Sequence, residues 1–263
     1  MATVEPENGT PPSRGPHLLR AFAGPCAQGN PCLVTVLEAP PRRPPAEVDV
    51  TQCLCWPLGP RTAGVRCWSA SGMEIQCCGH GLLSCAQLWR TAWPGGGALR
   101  MGSADIPVQY EDDRIWLGFA PLTVEVCDVP DWSVARFGGT PVAAAAAGGA
   151  RGYIVLQWPD GGSLKMLEAP GYDLAGDTGC AVIATCRDRA AGPGAIRLRY
   201  FAPQHGVPED TATGSAMRVL ATFWHSQEMM TDLCARQDSP VGGELFSRVD
   251  GDTIWVGGRA GEA

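Results

Sequence analysis

From Leu18 onward, short apolar runs alternate with turns rich in glycine, proline and asparagine. Runs of this length between turn residues predict β-strands. We expect strands at Leu33–Leu37, Val65–Ser69, Ile106–Tyr110, Arg114–Phe119, Tyr153–Trp158, Ile196–Phe201 and Ile254–Val256. The apolar run Gly179–Cys186 fits either a strand or a buried helix.

Two segments have helical spacing instead, and each begins directly after a turn that contains glycine. The first is Gly81–Trp93, which stops before a proline–glycine run, and the second is Gly214–His225. One face of each helix is apolar and is formed by Leu82, Cys85, Ala86 and Trp89 in the first and by Ala216, Val219, Leu220 and Phe223 in the second. These faces predict two buried helices.

Each half of the chain therefore combines several strands with one helix, which predicts an α/β (α+β) protein of two similar halves. We place the first half at residues 18–118 and the second at 119–263, with the last strand free to return to the first half. Residues 1–17 are polar and proline-rich without an apolar core, so they predict a disordered tail and not a signal peptide. Two helices that begin at the gap between the halves would form an anion pocket.

Composition narrows the class of protein. The 263 residues carry 20 basic and 27 acidic side chains, so the net charge of -7 argues against a nucleic-acid partner. Lys165 is the single lysine, which leaves little room for cofactor chemistry based on a lysine amine. No apolar run approaches the ~18 residues of a membrane span. We expect a cytoplasmic protein whose twelve cysteines are reduced and mostly act as small hydrophobic residues.

The first group of candidate residues lies at the start of the first helix, in the segment Glu74-Ile75-Gln76-Cys77-Cys78-Gly79-His80-Gly81. Glycines let backbone N–H groups approach a ligand, and the helix dipole favours negative charge there. The dipole also disfavours a charged imidazole, so His80 is a candidate for taking or relaying a proton near neutral pH. A tight turn with a capping histidine explains the same residues equally well.

The second group lies in the segment from Phe201 to Ala216, where Asp210 precedes a threonine-rich turn that opens the second helix. Asp210 is a candidate proton donor or the group that orients one, with the Gly214 and Ser215 amides binding a carboxylate. An acid at this position also stabilises a first helical turn by capping, worth about 0.5–2 kcal/mol. Taken alone, this segment favours the capping interpretation.

Three segments occur in a fixed order along most of the chain: Gly29-Asn30-Pro31, then Glu74 with Cys78-Gly79-His80, then the run from Phe201 to Ala216. Together they resemble the PhzF family of phenazine-biosynthesis-type isomerases, within the diaminopimelate epimerase-like superfamily. The resemblance implies two halves, each a mixed sheet curled around a central helix, with the active site in the cleft between them. It also implies a homodimer and proton transfer within a small carboxylate, without metal or organic cofactor.

The resemblance assigns roles to individual residues. His80 matches the family's active-site histidine, Asp210 its active-site aspartate, and Ser215 the residue whose amide or hydroxyl contacts the substrate. We expect the substrate to be bound by Gln52, Cys78, Gly79, Gly81, Gly214 and Ser215.

One position departs from the family pattern. The family's acid/base glutamate lies in a Leu-Ser-Glu-Thr-like segment, and the best match here, Val50–Cys55, places Gln52 at that position. An amide can form hydrogen bonds but cannot shuttle a proton at neutral pH. Glu47 and Asp49 lie close in sequence, but their use would require a shift in alignment. His80 and Asp210 are then the matched titratable groups.

The cysteines suggest two further hypotheses. Related racemases use two opposed thiols, and Cys78 takes the place of the first, but no cysteine stands at Asp210-Thr211-Ala212 where the second should be. A metal site built from Cys53, Cys55, Cys77, Cys78 and His80 is the other hypothesis. Adjacent cysteines and a Cys-x-Cys pair match the spacing of structural zinc sites poorly, so we expect no metal. Because the sequence has no dinucleotide fingerprint and Lys165 is its only side-chain amine, we also expect no flavin or pyridoxal phosphate.

These observations predict a cofactor-independent isomerase that moves a proton in a small cyclic or amino-acid-derived carboxylate, by a 1,3-type hydrogen shift, a tautomerisation or an epimerisation. The resemblance and the composition point to bacterial secondary metabolism, such as antibiotic biosynthesis. Gln52 supports an alternative, a catalytically degenerate member of the family that binds a small molecule or a partner.

Overall fold

The computed structural model describes residues 12–43, 45–46 and 48–263. Residues 1–11, most of the predicted tail, and Glu47 lie outside the described residues. The described chain divides into two compact units. The first unit contains residues 12–21, Pro31–Leu117 and Arg259–Ala263, and the second contains Phe22–Asn30 and Gly118–Gly258.

The first unit is a mixed sheet packed on one helix, α1 (Gly79–Trp89), which contacts strands β3 and β4. Its strands are β1 (Pro16–Ala23), β2 (Asn30–Val36), β3 (Thr51–Gly59), β4 (Thr62–Trp68), β5 (Glu74–Ile75), β6 (Gly97–Met101), β7 (Ala104–Glu111) and β8 (Arg114–Phe119). Their order is β1-β2-β3-β4-β6-β7-β8, with β5 paired to β4. The pairs β2–β3 and β4–β6 are parallel, whereas β3–β4, β6–β7 and β7–β8 are antiparallel.

The second unit repeats this plan around a longer buried helix. Its elements are β9 (Val124–Cys127), α2 (Trp132–Phe137), β10 (Ala143–Ala147), β11 (Tyr153–Gln157), α3 (Gly161–Lys165), β12 (Ala181–Arg187), β13 (Ala195–Phe201), α4 (Gly214–Glu228), β14 (Asp232–Gln237), β15 (Gly243–Asp250) and β16 (Thr253–Glu262). The strands run in the order β16-β15-β14-β13-β12-β11-β10-β9. The pairs β13–β14 and β11–β12 are parallel and the others antiparallel. Helix α4 packs on β9, β14 and β15.

The predicted strands and helices are present, and the fold class is the predicted one. The ambiguous run Gly179–Cys186 forms strand β12, buried from Ala181 to Cys186. The first helix ends at Trp89, four residues earlier than expected. Beyond it Trp93 leaves the helix, stacks on Trp89 with ring centroids 4.8 Å apart, and donates its indole N–H to Pro60 O.

The expected end of the N-terminal tail was wrong. Pro16 and His17, assigned to the tail, belong to strand β1, because that strand pairs in the sheet of the first unit. The alanine run Ala143–Ala147 gave no strand signal, since alanine is depleted in strands. It forms β10, which pairs antiparallel with β9 and β11. Among the described residues, no helix has both the length and the apolar character of a membrane span.

Candidate functional site

Helix α1 begins at the first group of candidates. Cys78 is its N-cap residue, with φ -116° and ψ 87°, and no side chain in the described part of the chain caps the first turn. The first turn also lacks an acidic residue. Gly79 and Gly81 are buried, and His80 is half-buried. The helix start therefore keeps its positive dipole end without a neutralising side chain, which favours an anionic ligand.

His80 lies beside the thiol of Cys78. Both ring nitrogens of His80 are 3.9 Å from Cys78 Sγ. Hydrogen bonds from Cys53 and Cys67, together with the nearby His80, hold the pKa of the Cys78 thiol well below its usual range. The Cys78 side chain is only 3% exposed, so its thiol faces the interior of the first unit.

Three sulfur atoms meet beneath the start of α1. The Sγ atoms of Cys53, Cys67 and Cys78 all lie within 4.8 Å of one another. Burial raises the pKa of the Cys53 and Cys67 thiols, in contrast to Cys78. Cys53 and Cys78 were part of the metal site considered from the sequence. Cys67 was not. This is the set of described side chains best suited to hold a metal.

Gln52 lies in strand β3 and is buried, with 8% of its surface exposed. Its Nε2 donates a hydrogen bond to the backbone oxygen of Ala46 at 2.5 Å. The amide therefore donates a hydrogen bond to the loop that precedes β3. A carboxylate could not make this contact, because it only accepts hydrogen bonds. This contact gives Gln52 a local structural role.

Glu74 is exposed and paired with an arginine. It forms a two-pronged ion pair with Arg66, with both N–O distances 2.7 Å. This exposed pair holds the pKa of Glu74 below its usual value, mainly through the hydrogen bonds from Arg66. Glu74 is thus engaged at the surface of the sheet, in the pair of strands β4 and β5.

In the second unit, Asp210 is held by three hydrogen-bond donors. Its Oδ1 accepts from Asn30 Nδ2 at 2.8 Å and from the backbone N–H of Thr211 at 2.9 Å. Its Oδ2 accepts from Thr213 Oγ1 at 2.6 Å. All three contacts donate to the carboxylate oxygens, and together they fix the plane of the group.

Asn30 and Gln237 extend this network. Asn30 is buried, and its Nδ2 also donates to Ala212 O at 3.0 Å. Because Asp210 Oδ1 and Ala212 O are both acceptors, the amide must be oriented with its nitrogen toward them. Gln237 is fully buried; its Oε1 accepts from Thr213 N at 2.8 Å and its Nε2 donates to Asp210 O at 2.7 Å. Side chains from β2 and β14 thus hold the turn that carries Asp210.

The acid next to Asp210 has a different role. Glu209 forms a two-pronged ion pair with Arg199, at 2.7 and 2.9 Å, and both side chains are largely buried. Arg199 also donates to Leu167 O at 2.5 Å. Glu209 therefore serves as the partner of Arg199 in a structural ion pair. Asp210 is the acid that lies next to the start of the helix.

Helix α4 begins directly after this turn. Thr213 is its N-cap residue, and no side chain of the described residues caps the first turn. The Thr213 hydroxyl is directed at Asp210 instead, and Asp210 bonds to Thr211 rather than to an N–H of the helix. The capping interpretation of Asp210 is wrong for this reason. Gly214 is buried and Ser215 half-buried at the helix start.

The structure thus gathers the candidates into two groups. Gln52, Cys78, Gly79, His80 and Gly81 lie in the first unit, whereas Asp210, Gly214 and Ser215 lie in the second. Sequence reasoning gave no role to Asn30, Thr213 or Gln237. For Asn30 a signal existed, because it stands in the Gly-Asn-Pro segment; for Gln237, 27 residues beyond Asp210, there was none.

The chain resembles known proteins over most of its length. A family model described as phenazine biosynthesis-like protein, PhzC-PhzF, matches residues 129–260. A phenazine biosynthesis-like domain-containing protein of Rattus norvegicus is 30% identical over 217 residues, covering 75% of this chain and 74% of that protein. An uncharacterized isomerase of Pseudomonas aeruginosa is 28% identical over 91% of this chain and 93% of its own.

A crystal structure shows the same fold. The PhzF-family phenazine biosynthesis protein of Enterococcus faecalis superimposes with a TM-score of 0.78 at 23% identity, over 94% of this chain and 95% of that one.

Proposed function

Because the chain belongs to the phenazine biosynthesis-like PhzC-PhzF family, we propose that it is an isomerase that moves a proton within a small carboxylate. The reaction is a 1,3-type hydrogen shift, a tautomerisation or an epimerisation. The name of the similar P. aeruginosa protein, an uncharacterized isomerase, supports the same class.

The observation that carries this proposal is the environment of Asp210. Three donors fix its carboxylate immediately before the uncapped start of α4. A carboxylate that served stability alone would more commonly neutralise the helix start by capping it. Here the carboxylate is anchored beside the helix start and leaves the helix N–H groups to a ligand.

We assign the proton transfer to His80 and Asp210. His80 is half-buried at the start of α1, where an imidazole can accept or return a proton near neutral pH. Asp210 acts as the second acid/base group or orients the one that does. Gln52 takes no proton, because its amide is bound to Ala46 O and is not a base.

Each helix start supplies binding groups for an anionic substrate. The N–H groups at Gly79 and Gly81, and those at Gly214 and Ser215, belong to first turns without a side-chain cap in the described chain. Backbone N–H groups and the helix dipole together favour a carboxylate. A cyclic or amino-acid-derived carboxylate fits this chemistry, and the acid/base groups require no organic cofactor. A homodimer, a cytoplasmic location and a role in bacterial secondary metabolism stay predictions.

The alternative is a binding protein without turnover, favoured by the glutamine at position 52. Incubation with a panel of cyclic and amino-acid-derived carboxylates in D2O separates the two functions. An isomerase incorporates deuterium at the carbon that exchanges its proton, visible as loss of that proton's NMR signal. Binding of a panel member by calorimetry without any incorporation identifies a binding protein and contradicts the isomerase.

A further inference from the structure

Six of the twelve cysteines converge in the first unit on one side of its sheet. They come from four elements: Cys32 from β2, Cys53 and Cys55 from β3, Cys67 from β4, and Cys78 and Cys85 from the start and middle of α1. All six are buried. Cysteine packs well as a small apolar residue, but packing alone does not require that sulfur atoms meet one another.

The distances between the sulfur atoms match a coordination site. Those of Cys53, Cys67 and Cys78 lie within 4.8 Å of one another. Thiolate sulfurs bind Zn2+ at about 2.3 Å, so sulfurs around one ion are about 3.8–4.0 Å apart. Movements of less than an ångström, by small side-chain rotations, bring the three atoms to that spacing. Cys32 Sγ lies 3.5 Å from Cys53 Sγ and is not part of this group of three.

Gly81 packs directly against these three sulfurs. A Cβ at this position would lie 2.4 Å from the sulfur of Cys53, 2.8 Å from that of Cys78 and 2.9 Å from that of Cys67. Real Cβ atoms essentially never approach a heavy atom so closely. Glycine at residue 81 therefore lets α1 lie close to the three sulfurs, and any other residue would force them to move.

The geometry points to a metal site: we propose that Cys53, Cys67 and Cys78 bind one thiophilic cation, Zn2+ or Cu+. A set of sulfur ligands selects soft or borderline cations over Mg2+ and Ca2+. Each thiol that becomes a ligand gives up one proton on binding. The site takes no part in the proton transfer assigned to His80 and Asp210, but it shares Cys78 with the expected substrate-binding residues. Its ion fastens the start of α1 to β3 and β4.

The sequence analysis predicted no metal and did not find this site, because its ligands come from three separate elements. Spacing rules recognise ligands that share a short loop, such as Cys-x₂₋₄-Cys. Here 13 residues lie between Cys53 and Cys67, and 10 lie between Cys67 and Cys78. Only pairing of β3 with β4, which sets Cys53 opposite Cys67, brings the first two together.

The test measures metal bound by the full chain. The protein is produced in media supplemented with Zn2+ or with copper, purified under reducing conditions, dialysed, and analysed for metal content. We expect about one ion per chain from one of the two media, and that medium identifies the cation. In Cys67→Ser the bound metal should fall about tenfold or more, whereas Cys127→Ser, which changes an exposed thiol, should keep the wild-type content.

Metal content below about one tenth of an ion per chain from both media would overturn the proposal, and so would equal contents in wild type and Cys67→Ser. If Cys67→Ser fails to fold, X-ray absorption on the wild-type protein replaces it. A first shell of three or four sulfurs at about 2.3 Å supports the site, and a shell of nitrogen and oxygen contradicts it.

Discussion

Asn30 Nδ2 donates to Asp210 Oδ1 at 2.8 Å, across 180 residues of sequence. The same amide also donates to Ala212 O, so one buried side chain holds both the carboxylate and the turn that carries it. The position of Asp210 therefore depends on a residue of strand β2, far from it along the chain.

We predict that Asn30→Ala lowers both stability and activity. The change removes a hydrogen bond to a carboxylate and leaves Ala212 O without this donor, which should cost about 1.5–3 kcal/mol of the free energy of unfolding. Urea unfolding at 25 °C measures the loss. Gln28→Ala, at an exposed position two residues away, is the control and should stay within about 0.5 kcal/mol. Equal stabilities of the two variants would contradict the anchoring role of Asn30.

Glu209→Gln tests the separate role of the acid next to Asp210. Because the pair with Arg199 is largely buried, loss of the carboxylate leaves an uncompensated guanidinium, and we expect a loss of about 3–5 kcal/mol. Glu38→Gln breaks an ion pair with Arg14 in which both side chains are mostly exposed, so it should change stability by less than about 1 kcal/mol. Thermal or urea unfolding compares them. A neutral Glu209→Gln would show that the pair contributes nothing to the fold.

Gln52→Glu introduces the glutamate that the family pattern has at the matching position, but the structure predicts a loss of stability. A carboxylate would lose the hydrogen bond to Ala46 O and oppose that oxygen with a negative charge, at a cost of about 1–3 kcal/mol. The cost applies to the ionised form, so the variant should approach wild type below about pH 4 and fall behind it as the pH rises. A series of unfolding curves from pH 4 to 8 measures this, with Gln28→Glu as the exposed control. A penalty that is independent of pH would contradict this explanation.

Alkaline pH should weaken the second unit through Cys186. Burial raises the pKa of this thiol to about 12, so the folded state keeps it protonated where the unfolded chain releases the proton. Its contribution to stability is complete below about pH 8.5 and is lost as the pH rises toward 12. Cys186→Ala should therefore flatten the decline of the unfolding free energy between pH 9 and 10.5, by up to about 1.4 kcal/mol per pH unit. Cys26→Ala, at an exposed cysteine, should show the wild-type decline.

Much of the fold could be predicted from local patterns. The apolar faces of α1 and α4 and the runs that form β2, β7, β8, β11 and β13 follow from periodicity and turn residues. Strand β10 could not be predicted in this way, because five alanines have no β propensity of their own. Its strand conformation comes from pairing with β9 and β11, which no local pattern encodes.

The candidate site was predicted only in part. The motifs singled out His80 and Asp210, since each stands beside a glycine-bearing turn at a helix start, and their roles stay predictions. Gln237 and the Cys53–Cys67–Cys78 group were not, because tertiary packing brings them together from separate strands. Sequence spacing cannot show such contacts. The assignment of Asp210 as a helix cap failed for a similar reason, since Asn30 and Thr213 hold its carboxylate away from the helix N–H groups.

The central claim is that His80 and Asp210 move the proton, and the rate of deuterium incorporation into a turned-over carboxylate tests it most directly. We expect His80→Ala and Asp210→Asn each to lower this rate by about 10²-fold or more. The controls His205→Ala and Asp128→Asn, at exposed positions, should keep the wild-type rate. Circular dichroism confirms that all four variants are folded. Near-normal rates in both His80→Ala and Asp210→Asn, with loss of turnover in Cys78→Ala, would contradict the account and assign the proton transfer to the thiol.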